Sequence, residues 1–201
     1  MRSKKELEVT LSRLGKVKKQ DAKLEQYETP SDIAAEVLWS AFMNGDIKNK
    51  IIADLGCGNG VIGIGCLLLG AKKVFFLDSD SESILVTKKN LSDLELENHI
   101  LLHQDIGSFN EKIDTVIQNP PFGVQNEHAD RNFLIKAMEH SRKIYSFHKS
   151  ESESFIKSLA TEYNFKIANI MKFRFPLKKT QEFHTKKAHG VDVSCFILSK
   201  A

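Results

Sequence analysis

The segment Asn119-Pro120-Pro121-Phe122 combines residue types that can hold a planar amino group for chemistry. Proline lacks a backbone N–H and has a fixed φ, so two prolines in a row make a stiff turn. The Pro120 carbonyl and the Asn119 side chain can then accept both protons of an amino group on a conjugated ring or amide. This turns the nitrogen lone pair toward an electrophilic methyl group and stabilises the developing positive charge. These four are the predicted catalytic residues, with the Phe122 ring available for stacking on a base or amide.

A glycine-rich segment, Asp54-Leu55-Gly56-Cys57-Gly58-Asn59-Gly60, indicates a cofactor site. Its glycines let the backbone turn tightly and approach a ligand at the start of a helix. Gly58, Gly60 and Gly63 also fit the GxGxxG dinucleotide pattern, which is weak on its own. Asp54 is more informative, because a carboxylate beside this turn repels a pyrophosphate and attracts a cation. S-adenosylmethionine carries a sulfonium and an α-ammonium group, so it is the expected cofactor and S-adenosylhomocysteine the expected product.

Two further acids, Asp78 and Asp105, end the next two predicted strands. Asp78 stands about 20 residues beyond the glycines, the separation at which an acid binds ribose hydroxyls in dinucleotide folds. A helix cap is the alternative for Asp78, although Asp80 is better placed for that role. Asp105 can accept a hydrogen bond from the adenine amino group while Ile106 supplies a backbone N–H, and a plain turn aspartate is the alternative.

The composition fits one folded domain. The 201 residues, 41% hydrophobic and 27% charged, suffice for a substantial core and exclude a disordered or collagen-like chain. No apolar run reaches membrane-spanning length, and the first residues lack the apolar stretch of a signal peptide. Cys57, Cys66 and Cys195 show no CxxC spacing, so we expect reduced thiols, a cytoplasmic location and no metal site.

Positive charge is concentrated at two places, although the formal net charge is only +3. Residues 1–24 hold eight Lys or Arg against three acids, and residues 172–187 hold six against one. This distribution favours a polyanionic partner, with solvated surface lysines as the alternative.

Two groups of residues are predicted to contact a nucleic-acid substrate. One lies on the basic loop between the last two strands and comprises Lys178, Lys179, Phe183, His184, Lys186 and Lys187. Cations there would bind phosphates and the ring would stack, although His184 taken alone fits an ordinary surface histidine. The other is His148 with Lys149, at the end of the fifth predicted strand, where they could line the substrate side of the pocket.

Alternating strand and helix patterns must position these residues. Seven apolar runs are predicted strands: Ile51–Leu55, Val74–Leu77, Ile100–His103, Thr115–Gln118, Ile144–Phe147, Phe165–Phe175 and Val191–Leu198. The helical patterns are one with Leu7, Leu11 and Leu14, one from Thr29, then Ile62–Leu69, Ser81–Leu91, Arg131–Arg142 and Glu151–Glu162. The alternation predicts an α/β fold, a seven-stranded, mostly parallel Rossmann-like sheet with helices on both faces. The last two strands have only a loop between them and should form a C-terminal antiparallel pair.

Two helix starts can be predicted from capping residues. Thr29 is expected to cap the second helix, with Pro30 in its first turn. Ser150 and Glu153 have the spacing of a capping box for the last helix.

The motifs together resemble an S-adenosylmethionine-dependent amino-methyltransferase, and more closely the archaeal and eukaryotic methyltransferase-like-five family. The likeness covers nearly the whole chain: residues 24–29, 54–60, 77–80, 114–123, 147–150 and 183–187. The Asn-Pro-Pro-Phe tetrapeptide is shared by many amino-methylating enzymes and sets the reaction class. The first and the last two of these segments narrow the family.

The resemblance implies that the product is 6-methyladenosine in small-subunit ribosomal RNA. It also implies that residues 1–28 form an N-terminal helix and basic arm contributing to the cofactor site, and residues 29–201 a single class I methyltransferase domain. The cofactor residues it implies, together with those argued above, are Gln26, Tyr27, Thr29, Asp54, Gly56, Gly58, Asn59, Gly60, Val61, Asp78, Ser79, Asp105 and Ile106. The resembling enzymes use a small zinc-binding activator protein, and the apolar strand Ile100–His103, if it is a sheet edge, would bind it.

Four other functions compete with this one. A planar protein glutamine amide or a DNA adenine could occupy the same tetrapeptide, and the basic termini favour RNA over the protein substrate. A nicotinamide-dependent oxidoreductase is supported only by Gly58–Gly63 and opposed by Asp54. A non-catalytic RNA-binding protein with the same fold is the remaining alternative.

Overall fold

A sheet of seven strands runs through the protein in the order β3-β2-β1-β4-β5-β7-β6. The computed structural model describes residues 1–17, 28–122, 129–176 and 190–201. The strands are β1 Ile51–Leu55, β2 Lys73–Asp78, β3 His99–His103, β4 Thr115–Gln118, β5 Lys143–Lys149, β6 Phe165–Pro176 and β7 Gly190–Lys200. The helices are α1 Lys4–Ser12, α2 Ser31–Met43, α3 Val61–Leu68, α4 Ser81–Asp93, α5 Ala129–His140 and α6 Glu153–Glu162. Short 3-10 turns cover Ile106–Ser108 and Ser150–Ser152.

The pairing of the strands confirms the predicted fold class. Strands β1 to β5 pair in parallel. Strand β7 is antiparallel to both β5 and β6. Strand β3 lies at one edge of the sheet, which is the condition for binding a partner there, and its residues Ile100, Leu101 and Leu102 are only half-buried.

Side chains alternate between two core layers, one on each face of the sheet. Ile52 of β1 faces the layer formed with α2 and α3, while Ala53 and Leu55 face the layer formed with α5 and α6. Helix α1 belongs to the first layer, since Leu7 and Leu11 are buried in it. The N-terminal helix is therefore packed into the same core as the sheet.

Helix α3 approaches the sheet closely because it carries a glycine at its contact with β2. A Cβ atom added at Gly63 would lie 2.2 Å from Cε1 of Phe76, a ring that is fully buried. We expect Gly63→Ala to lower the free energy of unfolding by about 1–3 kcal/mol through overpacking, although alanine is the better helix former. Urea denaturation measures this, and Phe76→Leu in the same chain should recover part of the loss. A Gly63→Ala protein as stable as wild type would contradict the rigid contact.

Two of the predicted helix caps are wrong. Helix α2 begins at Ser31 with Pro30 at the N-cap, and Thr29 makes no capping bond because its hydroxyl bonds Asn119 instead. The Ser150 hydroxyl bonds Ser194 Oγ at 2.8 Å, and α6 begins after Ser152 with no side-chain cap. A 3-10 turn comes first at Ser150–Ser152, so Ser150 stands too far from the first turn of α6 to close a capping box.

Within the described ranges, no helix is both long and apolar enough to cross a membrane.

Candidate active site

A cleft of about 190 Å³ opens at the carboxyl ends of β1, β2 and β4. Open α/β sheets bind ligands at this edge. The predicted site residues that line it are Thr29, Asp54, Gly56, Gly58, Asn59, Val61, Asp78, Ser79, Asp105, Ile106, Asn119, Pro120 and Pro121. The structure therefore brings the predicted cofactor segment and the predicted catalytic corner to one place.

The glycine-rich segment forms the floor of the cleft between β1 and α3. Gly56, Gly58 and Gly60 have φ of 73°, 55° and 80°, a left-handed backbone that side-chain-bearing residues rarely adopt. Gly60 is the N-cap of α3, where a Cβ would lie 2.8 Å from a Thr87 methyl group. It supports the turn from behind and does not line the cleft.

Asp54 brings a buried carboxylate to the cleft wall. Its side chain is only 1% exposed, and Oδ2 accepts the Gly63 N–H at 2.8 Å. Among the described residues Oδ1 has no hydrogen-bond partner. Burial raises the pKa of Asp54 well above its ordinary value, the Asp78 charge adds to this, and the Gly63 N–H opposes it. A buried carboxylate with one unsatisfied oxygen fits a cationic group, which S-adenosylmethionine carries.

Asp78 is held by backbone donors at the end of β2. Oδ2 accepts the Gly58 N–H at 2.9 Å and Oδ1 accepts the Asp80 N–H at 2.9 Å. Burial raises the pKa of Asp78, and these N–H donors partly offset that effect. Asp80 caps α4, as predicted, by accepting from the backbone of Glu82 and Ser83. Each carboxylate oxygen of Asp78 keeps capacity for a further hydrogen bond, as two ribose hydroxyls would require.

Asp105 has a local bond as well as a place in the cleft wall. Its exposed side chain accepts the Gly107 N–H at 2.8 Å and caps the 3-10 turn that starts at Ile106. Asp105 thus makes the local hydrogen bond expected of a turn aspartate. Both Asp105 and Ile106 nevertheless line the cleft.

The Asn-Pro-Pro corner faces the cleft directly after β4. Asn119 Nδ2 donates to Thr29 Oγ1 at 3.0 Å, which fixes the amide so that its oxygen is the acceptor end. Phe122 differs from the prediction, because its ring is 6% exposed, packs against Phe175 and does not line the cleft. In this conformation Phe122 is a core residue, and its stacking on a substrate stays a prediction.

A set of polar side chains that the sequence analysis missed ties the cofactor loop to α4 and to the N-terminal segment. Thr87 Oγ1 donates to the Gly58 carbonyl at 2.8 Å. Asn90 Nδ2 donates to the Asn59 carbonyl at 2.9 Å, and its Oδ1 accepts the Gly15 N–H at 2.8 Å. Residues 83, 87 and 90 share one buried face of α4, and this polar stripe on an otherwise core-facing side was the available signal.

Glu28, the residue before Thr29, connects the cofactor loop to the N-terminal segment. Asn59 Nδ2 donates to Glu28 Oε1 at 3.3 Å and to the Gly15 carbonyl at 3.2 Å. Lys16 lies 3.5 Å from Glu28. Glu28 and Thr29 thus place one short segment between the cofactor loop and Asn119.

Only two of the residues predicted to contact the substrate, His148 and Lys149, lie within the described part of the chain. His148 is 0% exposed, in contact with Ser146 and Asp130, and does not line the cleft, so its predicted place on the pocket wall is wrong. It points instead into the core layer with Phe196. Lys149 is half-buried at the end of β5. Gln26, Tyr27, Lys178, Lys179, Phe183, His184, Lys186 and Lys187 lie outside the described residues.

Comparison with known proteins identifies the family. Residues 28–144 match the family model described as the methyltransferase small domain. The chain is also 34% identical to the rRNA N(6)-adenosine-methyltransferase METTL5 of Danio rerio, over 94% of this chain and 95% of that protein. The chain belongs to the METTL5 family of methyltransferases. This confirms the predicted enzyme class, a methyltransferase that takes S-adenosylmethionine as its cofactor.

Two archaeal proteins show similar matches to this METTL5-family chain. MJ0284 of Methanocaldococcus jannaschii, an uncharacterised protein, is 35% identical over 100% of this chain and 95% of its own length. The crystal structure of PH1948 from Pyrococcus horikoshii, a candidate RNA methyltransferase, superposes with a TM-score of 0.90. The two sequences are 40% identical, and the match covers 100% of this chain and 99% of PH1948.

The Thr29–Asn119 contact predicts a positioning effect on catalysis. Thr29 is 5% exposed, and Thr29→Val keeps its shape while removing the acceptor for the Asn119 amide. Losing one hydrogen bond of about 1–1.5 kcal/mol should lower kcat roughly tenfold, with little change in KM for the cofactor. Steady-state methyl-transfer assays measure both constants. Thr29→Ser keeps the hydroxyl and should behave as wild type, whereas full activity of Thr29→Val would show that this bond does not orient the amide.

Proposed function

We propose that this chain methylates the N6 amino group of an adenosine in small-subunit ribosomal RNA. The observation that carries the proposal is the shared cleft: the Asn119-Pro120-Pro121 corner and the buried carboxylate of Asp54, whose Oδ1 has no partner among the described residues, line the same space. The corner suits a planar amino group, and the carboxylate suits a sulfonium or ammonium group. The METTL5 relative of Danio rerio, named for rRNA N(6)-adenosine methylation, supports this choice of substrate.

The residues of the chain have separate tasks in this reaction. S-adenosylmethionine supplies the electrophilic methyl group, and the amino nitrogen releases one proton to solvent as it accepts that group. Asp54, Asp78 and the glycine-rich segment would hold the cofactor. Asn119 and the Pro120 carbonyl would accept the two amino protons, which orients the nitrogen and stabilises its positive charge. No strong general base is needed, because an N-methylated aminium ion loses its proton readily.

RNA binding by the basic loop is part of the proposal. Pro176 and Gly190, the last and first residues of β6 and β7, pair with each other. Strand β7 is antiparallel to β5, and Val193 pairs with Lys149 at the carboxyl end of β5. Pro176 and Gly190 therefore lie at the edge of the sheet that carries the cleft, and residues 177–189 connect them in the sequence. We assign their lysines to phosphate contacts, and the arm up to residue 28, with Gln26 and Tyr27, to the cofactor.

The edge strand β3 is the proposed site of a partner protein. Its half-buried side chains Ile100, Leu101 and Leu102 and its place at the end of the sheet leave it able to pair with another strand. We propose a small zinc-binding activator as that partner. Adding it to the chain should raise stability and activity, and a chain that is stable and fully active alone would argue against it.

We also propose a cytoplasmic location. Cys57, Cys66 and Cys195 are all buried free thiols, as expected of a protein from a reducing compartment.

Methyl transfer to three substrates tests the proposed function. The chain and labelled S-adenosylmethionine are incubated with small-subunit rRNA from a strain lacking this protein, with DNA, or with ribosomal protein, and the products are digested and separated by mass. Label in 6-methyladenosine from the RNA is the expected result. Label only in DNA or in protein glutamine would select those alternatives, and cofactor binding without transfer to any substrate would favour a non-catalytic protein.

A further inference from the structure

Four polar side chains form a connected row behind the Asn-Pro-Pro corner. Gln118 Nε2 donates to Ser146 Oγ at 3.0 Å, and Ser146 Oγ lies 2.7 Å from His148 Nε2. His148 Nδ1 lies 3.4 Å from Asp130 Oδ2. Gln118, Ser146 and His148 are each 0% exposed. We call these four residues the polar relay. None of them lines the cleft.

The partners in the polar relay assign a direction to its hydrogen bonds. Asp130 is an acceptor only, so the proton of His148 is placed on Nδ1, which makes a 3.4 Å ion-pair contact with Asp130 Oδ2 that does not reach hydrogen-bond geometry. Nε2 of His148 then accepts the Ser146 hydroxyl, and Ser146 Oγ accepts the Gln118 amide. Burial by itself would raise the pKa of Asp130, but the neighbouring His148 ring contributes to holding that pKa below its ordinary value. Asp130 thus stays ionised as the fixed end of the relay.

The polar relay joins both ends of the chain segment that contains the corner. Gln118 is the last residue of β4 and directly precedes Asn119. Asp130 lies in the first turn of α5, the next described element after the corner. Both are fixed to neighbouring residues of β5, where Ser146 also pairs with Gln118 in the sheet. Breaking the Gln118–Ser146 or the Ser146–His148 hydrogen bond would leave a further buried polar group unpaired, so these two bonds favour one arrangement of the two ends.

We propose that Asp130, His148 and Ser146 are positioning residues, which aim the Asn119 corner at the amino group through Gln118. This rests on the proposed function only in naming that amino group. A displacement of about 1 Å at a reacting group can cost about 100-fold in rate. Loss of the relay should therefore reduce the rate of transfer more than it reduces cofactor binding.

Single-turnover kinetics on three variants test the proposal. Asp130→Asn and Ser146→Ala should each lower the methyl-transfer rate at saturating cofactor and RNA at least about tenfold, with the cofactor Kd unchanged. Glu153→Gln is the matched control, because Glu153 is also a first-turn acid but lies on α6, away from the relay. The double variant should be no slower than the slower single variant, because residues acting as one unit are not additive. Wild-type rates in both single variants, or losses that multiply in the double variant, would overturn the proposal.

Amide hydrogen exchange at Asn119 and Phe122 separates this inference from the proposed function. Both relay variants should exchange these amides faster than wild type and Glu153→Gln do. If wild type transfers no methyl group to RNA, the proposed function fails and exchange still decides: faster exchange supports the relay, and unchanged exchange overturns it. If Asp130→Asn does not fold, Ser146→Ala, which removes a single oxygen atom, decides both measurements.

Discussion

Asn119→Ala is expected to leave a protein that binds cofactor and RNA but transfers methyl groups about 10²- to 10³-fold more slowly. This is the usual loss when one preorganised partner of a developing charge is removed. Asn119 lines the cleft, and its amide is held by Thr29 on the side away from its acceptor oxygen. Truncation removes an acceptor that matters most when the amino nitrogen becomes positive. Ground-state binding should change little, because phosphate contacts supply most of the RNA affinity.

The measurement is a single-turnover assay beside calorimetric titration of the cofactor and a filter-binding titration of the RNA. Asn44→Ala is the matched control, since it removes an equal side chain from the exposed end of α2, where Asn44 contacts Tyr145 far from the cleft. Asn119→Ala with a nearly normal rate would mean that the corner does not grip the reacting amine. Loss of RNA binding instead of rate would assign Asn119 to substrate affinity.

The features that were predicted correctly from the sequence are those that depend on the local sequence of the chain. The predicted strands Ile51–Leu55 and Thr115–Gln118 coincide with β1 and β4 as observed, because strands buried on both faces are rich in aliphatic and β-branched residues. The cleft followed from the same reasoning, since the carboxyl ends of parallel strands meet at one edge. Asp54, Asp78 and Asn119 were therefore located by their place at, or directly after, the carboxyl ends of strands.

The wrong predictions concern side chains whose partner is distant in sequence. Thr29 has the residue type and the position expected of a helix cap. Its hydroxyl instead accepts a hydrogen bond from Asn119, which lies 90 positions away. His148 follows a strand as a pocket residue would, but strand alternation turns it toward Asp130 on α5. Phe122 is drawn into the core by Phe175 of β6. Local sequence contains no signal for any of these three contacts.

Asp54→Asn is expected to weaken cofactor binding about 100-fold and, in the same protein without cofactor, to increase stability at neutral pH. The affinity loss follows from removing the negative partner of a buried charge pair, which typically costs about 2–5 kcal/mol. Asparagine can still accept the Gly63 N–H, so the turn should be kept. The stability gain follows because the carboxylate is buried and one of its oxygens has no hydrogen-bond partner in the part of the chain that the structure describes.

The pH dependence of both effects has a definite sign. Burial raises the pKa of Asp54 in the folded protein above its value in the unfolded chain. Protonated Asp54 therefore adds to the free energy of unfolding. This contribution is fully present below the pKa that Asp54 has in the unfolded chain, and it is lost as pH rises through the pKa that it has in the folded protein. The stability advantage of Asp54→Asn should therefore grow with pH across that interval. Cofactor affinity of wild type should fall as pH drops below the raised pKa, because a cation binds the ionised carboxylate, and binding there should release protons.

Asp80→Asn is the control for these measurements. It also removes one negative charge beside the cleft, but Asp80 caps α4, has a lowered pKa, and asparagine caps a helix equally well. Asp78 has its own raised pKa, so the difference between wild type and Asp54→Asn, rather than either curve alone, reports on Asp54. Calorimetry in two buffers of unequal ionisation enthalpy measures the proton release, and urea denaturation across pH measures stability. If Asp54→Asn binds cofactor as tightly as wild type, the buried carboxylate is not the partner of the cation, and the assignment of this cleft edge to the methyl donor fails with it.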